Sequence, residues 1–147
     1  MTAHDFDDRN IPWQRFEEFD HLRYYIFDID RERKVIDVLF KFDAKQQIVL
    51  HRHKVLNHTF VIQGEHRLYE PNGEIKEIRP TGRYTVSPAS DEPHREGGGD
   101  EDVVVFFSIR GSDGVLYEIL DDEQAVTGTL SLDDFAGLFE AQPGPGA

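Results

Sequence analysis

His51 and His53 stand two residues apart in the stretch IVLHRHKVLNHTFVIQG, Ile48 to Gly64, and His58 follows five residues after His53. In a β-strand, residues i and i+2 point to the same face, so two imidazoles lean into one volume from one strand. Imidazole is the commonest metal ligand, and a divalent ion is the usual reason to converge several of them. A single histidine means little. Three of the chain's seven within eight residues, two on one strand face, point to a metal centre rather than to a polar cluster without metal. His94 echoes the group from a later segment rich in acid and glycine.

These side chains need strands to hold them, and the chain supplies many. Leu22–Asp30 is β-rich, Val35–Asp43 places Val38, Phe40 and Phe42 on one side, and Gln47 to His53 forms the next strand. Thr59 to Ile62, Glu65 to Glu70, Glu74 to Arg79 and Arg83 to Ser87 read as further strands, separated by turns such as Pro71-Asn72-Gly73 and Pro80-Thr81-Gly82. Asp102 to Arg110 is the most apolar run and reads as a central buried strand. It turns at Gly111–Gly114 and pairs back through Val115–Leu120. Ala89 to Asp102 reads as a surface loop, with a lid over the site as the alternative for Gly97, Gly98 and Gly99. Arg95 and Glu96 read as solvated charges in that loop. The one helix expected lies at about 131–142, where Ser131 and Asp134 resemble a capping box and Leu132, Phe135, Leu138 and Phe139 form one face. Eight or more short strands with frequent turns predict an all-β sandwich or jelly-roll barrel.

The bulk properties bound the rest. A chain of 147 residues suits a single domain, 1–147. The absence of cysteine removes thiolate zinc sites and cysteine nucleophiles, and fits a cytoplasmic location. No run approaches a membrane span, and the first ten residues lack the pattern of a signal peptide. A net charge of −13 repels nucleic acid and anionic membrane surfaces, so neither is expected as a partner.

The two histidine segments resemble the motifs of the cupin superfamily. Its first motif runs G…HxHx(3–4)E…G and its second G…PxG…H; here stand His51-Arg52-His53 with Gly64, and Gly82, Pro88 and His94. The resemblance covers residues 35–120. It implies a single-domain cupin jelly-roll (double-stranded β-helix) barrel with a core over about 22–120, an N-terminal extension and the short C-terminal helix. It also implies that His94 joins His51 and His53 as a metal ligand. Lys45 replaces the first glycine of motif one, Ser90 stands where motif two usually has glycine, and the motif-one glutamate is missing. Its slot falls on His58 counting from His53 and on Asn57 counting from Gly64. Neighbours on a strand face opposite ways, so only one can turn inward; His58 is carried forward as a candidate fourth ligand.

The spacing is similar to that of three-histidine cupin dioxygenases of the acetylacetone-cleaving and dihydroxyacetophenone dioxygenase type. Gly64-Glu65-His66-Arg67-Leu68-Tyr69-Glu70 resembles their GxWRYxE segment, with His66 in the tryptophan position. The resemblance implies an iron(II) enzyme, with zinc, manganese or nickel as alternatives. It would cleave a C–C bond of a small diketone or hydroxyaryl ketone with O2, with no catalytic residue beyond the metal centre. The competing expectations are a non-redox metal-dependent isomerase, cyclase or lyase, and a small-ligand-binding sensor. Phe60, Arg67, Tyr84 and Phe106 are expected at the substrate pocket. A homodimer is expected through the edge strand Leu22–Asp30.

Overall fold

The computed structural model describes residues 6–111 and 114–144. Readings placed on residues 1–5 (His4 included), on the middle of the Gly111–Gly114 turn and on the last three residues of the tail lie outside the described residues.

The elements run β1 (Gln14–Arg15), β2 (Leu22–Asp30), β3 (Val35–Phe42), β4 (His51–His53), β5 (Leu56–Gln63), β6 (His66–Tyr69), β7 (Ile75–Arg79), β8 (Tyr84–Ser87), β9 (Arg95–Gly98), β10 (Val103–Arg110), β11 (Val115–Leu120), β12 (Val126–Ser131) and α1 (Leu132–Ala141). One layer is a six-stranded antiparallel sheet in the order β1-β2-β3-β10-β5-β8. The other is made of two three-stranded sheets, β12-β11-β4 and β7-β6-β9. An antiparallel bridge between His51 and His94 and the bond from Ile48 N to Glu96 O (2.8 Å) join these two sheets edge to edge. The result is a single-domain jelly-roll barrel.

The alternation in the sequence decides which side chains fill it. Ile36, Val38, Phe40 and Phe42 of β3, Val103, Val105, Phe107 and Ile109 of β10, and Val61 of β5 form one buried cluster with Leu22, Tyr24 and Ile26 of β2. β10 is central and buried almost throughout, which is why it reads as a nearly unbroken apolar run. The capping box is present: Ser131 Oγ accepts from Asp134 N (3.1 Å) and Asp134 Oδ2 accepts from Ser131 N (2.8 Å). Leu132 and Phe135 are buried against the barrel, with Leu138 and Phe139 packed beside them.

Two local features differ from expectation, and a third bears on motif one. β12 was not foreseen; its VTGTLS sequence carries little apolar signal, and it gains its place by pairing with β11. Gly97 and Gly98 are neither lid nor surface loop but buried strand residues. A Cβ on Gly97 would lie 1.8 Å from the Gln46 carbonyl oxygen, so glycine is what lets the two backbones meet. Lys45, in the place of the motif-one glycine, adopts φ +59, a left-handed conformation that glycine would hold at lower cost.

Candidate metal centre

β4 brings His51 and His53 to the inner face, both buried, as the i, i+2 spacing requires. Opposite them runs the segment His94 to Gly98, tied to His51 by two backbone hydrogen bonds of 3.0 and 3.1 Å. His94 and Glu96 obey the same spacing from that side. An HxH pair and an HxE pair on adjacent antiparallel segments thus face one another. Their donor atoms lie within 4.8 Å of one another. Glu96 Oε2 stands 2.6 Å from His51 Nε2, 3.2 Å from His53 Nε2 and 3.1 Å from His94 Nε2, and the two imidazole Nε2 atoms of His51 and His53 are 3.2 Å apart.

The donor set fits a divalent ion. Ligand atoms bound about 2.1 Å from one ion stand about 3.0–3.4 Å apart, and three of the four separations fall in that range. The fourth, between His51 and Glu96, carries the argument. His51 Nδ1 donates to the Val49 carbonyl at 2.8 Å, so in the neutral ring Nε2 is a bare lone pair. It faces a carboxylate oxygen, which only accepts. Two acceptors at 2.6 Å repel unless a proton or a cation lies between them. The same Nδ1–H···O=C bond fixes the tautomer that a metal needs at Nε2.

Burial keeps His53 and His94 in the neutral form that a metal needs. It pushes His53 down to about 3, against the opposing pull of Glu96, and lowers His94 in the same way. Glu96 is fully enclosed, which alone would raise it; the imidazoles packed around it outweigh this and hold its carboxyl well below the ordinary value. Tyr117, opposite His53 in the β4–β11 register, is raised well above its usual range by burial and then by the charge of Glu96. Its hydroxyl therefore stays protonated and donates to Asn57 Oδ1 at 2.7 Å.

The fourth histidine around Glu96 is His66. Leu68 pairs with Glu96 across β6 and β9, which sets His66 diagonally beside it on the same face. His66 is fully buried, stacks on Phe42 at 5.2 Å, and places Nε2 2.8 Å from Glu96 Oε1. It thus steadies the oxygen turned away from the cluster and leaves Oε2 aimed at it. Its own Nδ1 is buried without a partner among the described residues.

The structure brings His51, His53 and His94 together. It does not bring His58. The alternation of β5 turns Asn57, Thr59 and Val61 inward and His58 outward, where its Nδ1 meets the Tyr84 hydroxyl. Asn57 is the inward residue of the pair, but its amide is engaged by Tyr117 and by the Val55 carbonyl (3.0 Å). The carboxylate comes instead from Glu96, read from sequence as a solvated loop charge.

The four residues expected at the pocket also lie elsewhere. Phe60, Phe106 and Tyr84 are cross-strand partners in a single row on the outer face of the six-stranded sheet, with Phe60 41% and Tyr84 57% exposed. Their inward neighbours Thr59 and Phe107 take the places assigned to them, because a one-residue error in parity moves a whole row through the sheet. Arg67 alternates outward from His66 and pairs with Glu65 at 2.5 Å.

Two spaces flank the cluster. An apolar cavity of about 40 Å3 is lined by Phe42, Phe107, Phe135 and their neighbours and touches His51, His53 and Glu96. A larger, more polar chamber of about 390 Å3 reaches His53, His94 and Glu96 from the other side.

The architecture and the inward histidines define a class, the cupin barrels, and comparison with solved structures bears this out. The chain superposes on an RmlC-like cupin protein from Ralstonia eutropha JMP134 with TM-score 0.73 at 19% identity, over 95% of this chain and 86% of that one. It is similar to an acetylacetone dioxygenase from Acinetobacter johnsonii (TM-score 0.71, 15% identity, 96% and 94% covered). It is equally similar to a candidate acetylacetone dioxygenase from Methylibium petroleiphilum PM1 (TM-score 0.71, 13% identity, 96% of each chain). No protein-family model and no curated protein matches the sequence. At these identities the shared property is the cupin fold, present over nearly the whole chain.

Proposed function

We propose that this cupin is a mononuclear iron(II) dioxygenase that cleaves a C–C bond in a small diketone or hydroxyaryl ketone. His51, His53 and His94 would hold the ion, with Glu96 as the fourth ligand. The reading rests on one observation, the convergence of three imidazoles and one buried carboxylate with ligand atoms within 4.8 Å of one another. When bound, iron(II) would supply redox reactivity toward O2 and Lewis acidity toward a chelating carbonyl. The chain supplies the rest. Burial keeps His53 and His94 neutral and therefore able to ligate. The apolar wall of Phe42, Phe107 and Phe135 excludes water from one side of the cluster. The chamber on the other side falls within the size range of small-molecule sites.

The buried carboxylate favours one competing reading. A three-histidine, one-glutamate set halves the charge of a divalent ion and occupies one more position than three histidines do. That suits a non-redox isomerase, cyclase or lyase with zinc, manganese or nickel. Oxygen uptake decides between them. Protein reconstituted anaerobically with iron(II) is tested against a panel of β-diketones and hydroxyaryl ketones, beside His51→Ala. Uptake that is lost in the variant supports the dioxygenase. Metal binding without uptake on any member of the panel overturns it in favour of the non-redox enzyme.

We further propose a cytoplasmic location, in keeping with the lack of cysteine, and a homodimer. Among the described residues no helix is long and apolar enough to cross a membrane.

A further inference from the structure

The polar chamber contains a buried guanidinium whose hydrogen-bonding capacity is largely unspent. Arg79 is the register partner of His66 across β6 and β7, and paired residues on adjacent antiparallel strands project from the same face about 5 Å apart. His66 is the residue that contacts Glu96, so Arg79 enters the chamber from the same face, two strands from Glu96 in the order β7-β6-β9. It is only 6% exposed. An arginine is rarely so enclosed unless its five donors are used. Here Nε donates to Glu77, and Nη1 stands 3.5 Å from Thr59 Oγ1, at the limit of a hydrogen bond. The edge formed by Nη1 and Nη2, the one that matches a carboxylate in a two-point fork, has no other partner among the described residues.

Of the other charges on the chamber wall, Glu96 belongs to the candidate centre and the rest pair off. Glu77 is taken by Arg79 Nε, and Lys76 faces Glu92 at 3.7 Å, with Glu92 81% exposed. The apolar cavity, at about 40 Å3, is far smaller than the chamber, which is therefore the roomier of the two for a substrate with several carbons.

We propose that the chamber is the substrate site and that Arg79 binds the carboxylate of a small oxo acid there, leaving its carbonyl end toward His53, His94 and Glu96. This deepens the reading above and rests on it for the metal, but not for the anion.

The test uses calorimetry on the full chain. Zinc is titrated first; a protein that binds none ends the metal-centre reading and leaves the anion test standing on the metal-free chain. Acetopyruvate, its methyl ester and acetylacetone are then titrated in turn. The ester keeps the diketone and removes the charge. The expected result is that acetopyruvate binds at least about tenfold more tightly than its ester, the worth of a hydrogen-bonded charge. Arg79→Gln should abolish that preference, with Arg79→Lys between the two. Equal affinity for acid and ester, no binding of the acid, or an undiminished preference in Arg79→Gln each overturns the proposal. Should Arg79→Gln fail to fold, the acid–ester comparison on the unaltered protein decides alone.

Discussion

Glu96 is the residue on which the site turns, because it is the sole carboxylate among four imidazoles and all five side chains are largely shut away from water. Without a metal this is an acid-sensitive arrangement, and the signs agree. His53 is depressed to about 3, so between there and the ordinary value of 6.5 the unfolded chain takes up a proton that the folded chain refuses. Stability therefore falls as the pH drops below 6.5, and His94 contributes in the same sense. Glu96 is held well below 4.5, so the stability it contributes is present above that value and is lost as the pH falls through its folded value. Each group whose proton is refused tilts stability by up to about 1.4 kcal/mol per pH unit. The melting temperature of the metal-free protein should accordingly decrease from pH 7 to about pH 5 and steepen below. Scanning calorimetry across that range checks it, and an unchanged midpoint between those two values would contradict the protonation states assigned to His53 and His94.

At the scale of elements, the site depends on how closely the backbone of residues 46–51 approaches that of 94–98. Gly97→Ala would put a methyl group against the Gln46 carbonyl, a contact with backbone that no rotamer relieves. An overpacking cost of about 3 kcal/mol is expected. The variant should melt lower and, with β9 displaced, bind zinc more weakly. Gly128→Ala is the control, since a Cβ there meets nothing within 4 Å. The same segment shows what the sequence could and could not reveal. The HxH pair was legible because period-2 geometry alone sends both rings to one face, and the long apolar strands declared the barrel. His94-Arg95-Glu96 has the same spacing, yet three following glycines and flanking acids gave the composition of a loop, so the period was not applied to it. His66 was hidden for a different reason. Its meeting with Glu96 is set by the β6–β9 register, which one sequence does not state. Parity also explains the pocket residues: Phe60 and Phe106 are as apolar as Phe107, and only the register says which row faces inward.

For the molecule as a whole, the outer face of the six-stranded sheet is where a second copy is expected. The first half of β2 is already covered. β1 pairs with Arg23 and Tyr24, and the Gln142 side chain satisfies both backbone groups of Ile26. That leaves little open edge where the sequence suggested one. The face at the β8 side is different. Tyr25, Leu39, Phe106, Phe60 and Tyr84 form one cross-strand row, with Phe27 stacked on Phe106 at 6.2 Å. Phe27, Phe60, Tyr84 and Val86 are each between 41% and 57% exposed. Contiguous apolar surface of this kind marks an interaction site. Two copies of a chain with net charge −13 repel one another, and salt screens that repulsion while leaving apolar burial intact. Light scattering should therefore give twice the 17.0 kDa chain mass, with the dimer fraction rising with ionic strength. Phe60→Asp should return the mass to that of one chain without altering metal binding, because the row lies on the face opposite the cluster. A monomer at every salt concentration would show that the aromatic row serves some other contact than one between copies of this chain.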